Sequence, residues 1–133
     1  INDGCANIGR VDEKAKWFLE GEAEWFSYKA MEESGNLPFS FDAKKIIMMQ
    51  FQGGEGNFNQ LSSYEEGTTT DVSLYGLFAL AVDYLVEKTN VKALDSYCAN
   101  IGKGQDLPTA FQNAFGISLE KFYLDFEAYR KSL

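Results

Sequence analysis

Apolar and polar positions alternate along this chain with the period of a helix, and glycine-rich breaks punctuate the pattern. The densest stretch is Trp17-Phe18-Leu19-Glu20-Gly21-Glu22-Ala23-Glu24-Trp25-Phe26. On a 3.6-residue period Ala15, Leu19, Ala23, Phe26 and Ala30 share one face. Phe18 and Trp25 form a second apolar strip, and Glu13, Glu20, Glu24 and Ser27 gather on a third. A helix apolar on two sides is mostly buried, so its acidic strip either meets solvent or points at something specific. Gly21 costs about 1 kcal/mol relative to alanine inside a helix, and its presence predicts close packing or a site. Asp12 is the predicted N-cap, with Glu13 in the first turn. The helix should run to about Glu33 and stop at Ser34-Gly35-Asn36, ahead of Pro38.

The same reading continues along the chain. Residues 1–11 form an irregular lead-in. Ser40 or Asp42 starts a second helix over Ala43–Phe51, with a strand over Ile46–Phe51 as the alternative, since period alone does not decide a short apolar run. Residues 52–57 form a glycine-rich connector. Its Gly53-Gly54-Glu55-Gly56-Asn57 has no following Gly-Lys-Ser/Thr and so lacks the pattern of a phosphate loop. Phe58–Glu66 reads as a short helix turning Phe58, Leu61 and Tyr64 inward, broken at Gly67-Thr68-Thr69-Thr70. Asp71 caps Val72–Lys88, whose stripe of Val72, Tyr75, Ala79, Val82 and Val86 is widened by Leu74, Leu77, Phe78, Ala81 and Leu85. Such a helix belongs at the centre of a fold. After Thr89-Asn90, Val91–Ile101 carries Val91, Leu94 and Cys98 at helical spacing. Asp106 with Pro108 opens a short helix through Ala110, Phe111 and Ala114, closed by Gly116. Ser118 caps the last helix, where Ile117 and Phe122 have the spacing of a hydrophobic staple. Phe122, Phe126 and Tyr129 line one side of it, and Arg130 and Lys131 oppose the dipole at its end. The predicted fold is therefore all-α, a compact bundle of five to six helices in one domain spanning 1–133.

Composition narrows the function more than the fold. At 133 residues, 45% hydrophobic and 15% aromatic, the chain has ample material for one core. A formal charge of -8, with at most two adjacent basic residues, speaks against nucleic-acid binding. No run approaches the ~20 apolar residues of a membrane span. The aromatic surplus makes a protein partner or self-association an expectation. Cys5 and Cys98 are compatible with one long-range bridge or, the plainer reading, with two free thiols. The first residue is Ile1 rather than methionine, which reads as a processing, cloning or excision boundary. Histidine is absent altogether, which removes Ser/His/Asp and Cys/His catalysis and every imidazole metal site.

Three segments carry a resemblance. Trp17-Phe18-Leu19-Glu20-Gly21-Glu22-Ala23-Glu24 resembles the helix that follows the HExxH helix in gluzincin-type, peptidase MA-like zinc metallopeptidases. Tyr75-Gly76-Leu77-Phe78-Ala79-Leu80-Ala81-Val82-Asp83-Tyr84-Leu85-Val86-Glu87-Lys88 resembles the tyrosine-led helix that returns across the site. Ala110 to Phe122 resembles the closing segment of a short helix, a glycine and a final aromatic-rich helix. Order and rough spacing match from about residue 12 to residue 130. The resemblance implies the C-terminal half of such a domain, with Glu20 as third zinc ligand, Glu24 as the often acidic neighbour and Tyr75 as a looser candidate for helping the tetrahedral intermediate. The first two ligands and the general base belong to His-Glu-x-x-His, which this chain lacks.

No cofactor is therefore expected for this chain, and zinc enters only if an HExxH segment lies upstream of residue 1. The expected function is a non-catalytic helical module, a peptidase-like remnant or fragment acting structurally or through protein contacts. The alternative is a zinc metallopeptidase half-domain. Each candidate residue also has a plainer reading. Glu20 is a solvent-facing helical glutamate or one paired with Lys16 or Lys14, and Tyr75 is a core tyrosine. Trp17, Trp25 and Tyr28 are core and rim rather than a sugar platform. Glu20 and Glu24 stand one turn apart on one helix, whereas the two carboxyls of a glycosidase pair normally come from different elements and flank a sugar ring.

Overall fold

The computed structural model describes residues 15–35, 59–66 and 73–132. Among the described residues the fold is all-α. The described helices are, in order, α1 (Lys16–Glu33), α2 (Ser73–Lys88), α3 (Lys92–Gly102), α4 (Leu107–Phe115) and α5 (Leu119–Lys131), and a 3-10 turn at Leu61–Tyr64 is described between α1 and α2. The expected second helix or strand before Phe51, the lead-in, the glycine-rich connector, Phe58, the break at 67–70 and the Asp71 cap lie outside the described residues.

α2 is the central element, as its pattern demands. Every residue from Gly76 to Leu85 is buried, including Asp83 and Tyr84. α1 packs along it in the principal interface of the fold, and α3 packs on α4 in the second. Aromatic rings then close the bundle into a circuit. Phe18 of α1 meets Tyr97 of α3 edge-on at 4.7 Å, and Tyr97 meets Phe111 of α4 at 5.4 Å. Phe111 lies 5.5 Å from Phe122 of α5, which stacks on Trp17 of α1 at 5.8 Å. Each such pair adds about 0.5–1.5 kcal/mol beyond the area it buries. Much of the aromatic content is therefore spent inside; among the described residues the exposed large apolar side chains are Met31, Val91 and Leu124.

Local chemistry explains the helix ends. Asp106 accepts from the Thr109 amide at 2.9 Å with Pro108 in the first turn, and the Thr109 side chain first, then that amide, hold the Asp106 carboxyl below its ordinary range. Gly116 closes α4 in the left-handed region at φ 76°, where a side chain would strain the backbone. Ser118 caps α5 by accepting from the Lys121 amide at 3.0 Å, and Phe122 is fully buried beside the half-buried Ile117, as the staple requires. Gly35, at φ 75°, ends α1 where expected.

Two expectations need correction. α1 begins at Lys16 with Ala15 in the cap position and no side-chain cap, so Asp12 is not its N-cap. The backbone of Lys16 instead donates to the Glu65 carbonyl at 2.9 Å; a tertiary partner does the work of a cap. The buried face of α1 is Trp17, Phe18, Gly21, Glu22, Trp25 and Tyr28, while Ala23 and Ala30 are exposed and Leu19 and Phe26 half-buried. Val91, at helical spacing to the buried Leu94, is 44% exposed at the cap position of α3, next to Asn90, whose side chain accepts from the Ala93 amide at 3.0 Å.

Candidate functional site

α1 is the element whose chemistry is unusual, and its inner face fixes its outer one. A Cβ on Gly21 would stand 2.4 Å from the Phe78 carbonyl oxygen and 2.9 Å from Val82 Cγ2. Only a glycine lets the two helices approach this closely. One turn on, the Trp25 indole donates to Asp83 Oδ1 of α2 at 2.9 Å, with both residues buried. At the start of the helix Trp17 Nε1 donates to the Tyr123 hydroxyl of α5 at 3.0 Å, and that hydroxyl donates to the Glu65 carboxylate. Burial and the bond to Glu65 push the Tyr123 phenol far above its usual range. α1 is thus pinned against α2 and α5 at three levels, with its rotation about its own axis set.

That rotation leaves Glu20 and Glu24 on the outer side, one turn apart. Glu20 pairs with Lys16 at 2.9 Å, the pairing anticipated from the sequence, and its side chain is 34% exposed. Glu24 is half-buried, and its carboxyl is held above the ordinary glutamate range, first by loss of solvent and then by the negative charge of Glu20. Two carboxylates at i and i+4 repel one another. Among the described residues, no group of three or more Asp, Glu, Cys or His side chains could hold a metal ion.

The other candidates fall elsewhere. Trp17 and Trp25 are buried, with their indole N–H groups donated to Tyr123 and Asp83, and Glu20 and Glu24 are half-buried at the flank of that face. Tyr75 is half-buried near the start of α2 and packs against the core, and no hydrogen bond links it to Glu20 or Glu24. Tyr28 is buried as well.

The residue that sequence reasoning passed over is Glu22. It is only 6% exposed, and burial, then the nearby Asp95, push its carboxyl up to about 7. Its Oε2 lies 3.8 Å from Cys98 Sγ on α3. Cys98 is disulfide-bonded, which corrects the free-thiol reading; the other cysteine of the sequence, Cys5, lies outside the described residues. A disulfide sulfur carries no hydrogen, so Cys98 donates nothing to Glu22 across this contact. The signal was present: Phe18, Gly21, Glu22 and Trp25 recur at helical spacing.

Comparison with protein-family models, characterised proteins and solved structures returns no match to this chain.

Proposed function

We propose that this chain is a helical module, without peptide-bond hydrolysis of its own, whose working surface is the Glu20/Glu24 side of α1. The observation that carries this reading is the division of α1 into two faces. Gly21 and Trp25 lock one face onto α2, and the other presents two crowded carboxylates with Lys16 as partner to the first. A rigid helix with an outward, under-compensated acidic strip suits a contact made by a protein partner, whether a different chain or a second copy. Hydrolysis by metal needs about three protein ligands, an open position and a base in one place. With no histidine in the sequence, the residues of this chain do not by themselves fit a zinc centre, and no catalytic step is assigned to them.

A second reading is favoured by Glu20 itself. The residue that resembles the third zinc ligand of gluzincin peptidases is partly exposed, in the second turn of a rigidly seated helix. Under this reading the chain is the C-terminal half of a peptidase domain, and a His-Glu-x-x-His segment upstream of residue 1 supplies the remaining ligands and the base.

One set of measurements separates the two. The purified chain, incubated with zinc and dialysed, should retain less than one equivalent by metal analysis and should cleave neither casein nor a fluorogenic peptide. Zinc-dependent cleavage that disappears in Glu20→Gln would overturn the first reading. A longer chain bearing an upstream His-Glu-x-x-His should retain zinc and lose it in Glu20→Gln; unchanged retention in that variant ends the second.

A further inference from the structure

We draw no further inference here: the strongest candidate, the Glu22–Cys98 side-chain contact between α1 and α3 with the exposed Asp95 nearby, turns on the shifted ionisation of a carboxyl two residues from Glu20, which already belongs to the proposed site.

Discussion

Gly21→Ala is the sharpest test of how α1 is held. Two effects oppose one another. Alanine is the better helix former by about 1 kcal/mol, and at an exposed position the change would stabilise. At position 21 the new methyl would sit 2.4 Å from the Phe78 carbonyl oxygen, 2.7 Å from its carbon and 2.9 Å from Val82 Cγ2. Two of those atoms are backbone in the middle of α2, so no side-chain rotation relieves the contact. The helices must part by several tenths of an ångström, which also lengthens the Trp25–Asp83 bond that stands at 2.9 Å. Overpacking of a tight core costs about 1–3 kcal/mol, and rigid backbone puts this case at the upper end. Net of propensity, the variant should lose about 2 kcal/mol, which lowers Tm by roughly 6–10 °C in a domain of this size. Urea unfolding followed by tryptophan emission reads the same loss as a shift in midpoint at constant slope. Ala23→Gly, two residues on and exposed, is the control and should lose about 1 kcal/mol from propensity alone. A Gly21→Ala protein as stable as the parent, or more so, would refute the close seating of α1 and with it the fixed presentation of Glu20 and Glu24.

Three further outcomes follow from buried polar groups. Glu22 is raised from 4.5 to about 7 in the folded state, so the fold binds its proton more tightly than the unfolded chain does. Its stabilising contribution is complete below pH 4.5, declines as pH rises through 7 and changes no further above that. The decline amounts to about 1–3 kcal/mol; Glu22→Gln should lack that slope in a pH series of urea midpoints, and an identical slope in both proteins would refute the assignment. The Cys98 disulfide should leave no thiol reactive with Ellman's reagent in the unreduced, unfolded protein, and Cys98→Ser should cost about 2–5 kcal/mol; a full equivalent of free thiol would contradict it. Trp25→Phe withdraws the indole donor from buried Asp83 and should cost about 1–3 kcal/mol, whereas Phe26→Leu at a half-buried position should cost less; the reverse order would count against the role of that bond.

Much of the fold was legible because it is written in local chemistry. Asp106, Gly116 and Ser118 each act at a helix end through contacts within a few residues, and such contacts follow from spacing alone. The unbroken apolar run of α2 likewise identifies a helix with no solvent face. What escaped were the features made by distant partners. The N-terminus of α1 is anchored by the Glu65 carbonyl, and Leu61 by the Glu127 carboxylate at 2.8 Å; neither pairing has a signature in sequence. Val91 shows the same limit on a smaller scale, since its helical spacing to Leu94 is genuine, yet it occupies the cap position of α3 and is 44% exposed.

The misreading of α1 has a specific physical source. Periodicity ranks faces by apolar content, and a glycine and a glutamate count against any face that holds them. Here both lie on the buried face for reasons that apolarity does not score. Gly21 is buried because α2 comes too close for any side chain, and Glu22 is buried with its carboxyl against the Cys98 disulfide sulfur, its proton held more tightly than in water. Once those two are moved to the inner face, the remaining order follows: Phe18, Gly21, Glu22 and Trp25 go in together, Ala23 is carried outward, and the Glu20/Glu24 pair falls on the half-buried flank. The acidic strip is therefore a consequence of how α1 seats on α2 rather than an independent feature. A helix rotated by one position would bury Glu24 and expose Trp25, and the Trp25–Asp83 bond with the Gly21 contact excludes that alternative. Any function assigned to Glu20 and Glu24 accordingly depends on residues that never touch the surface.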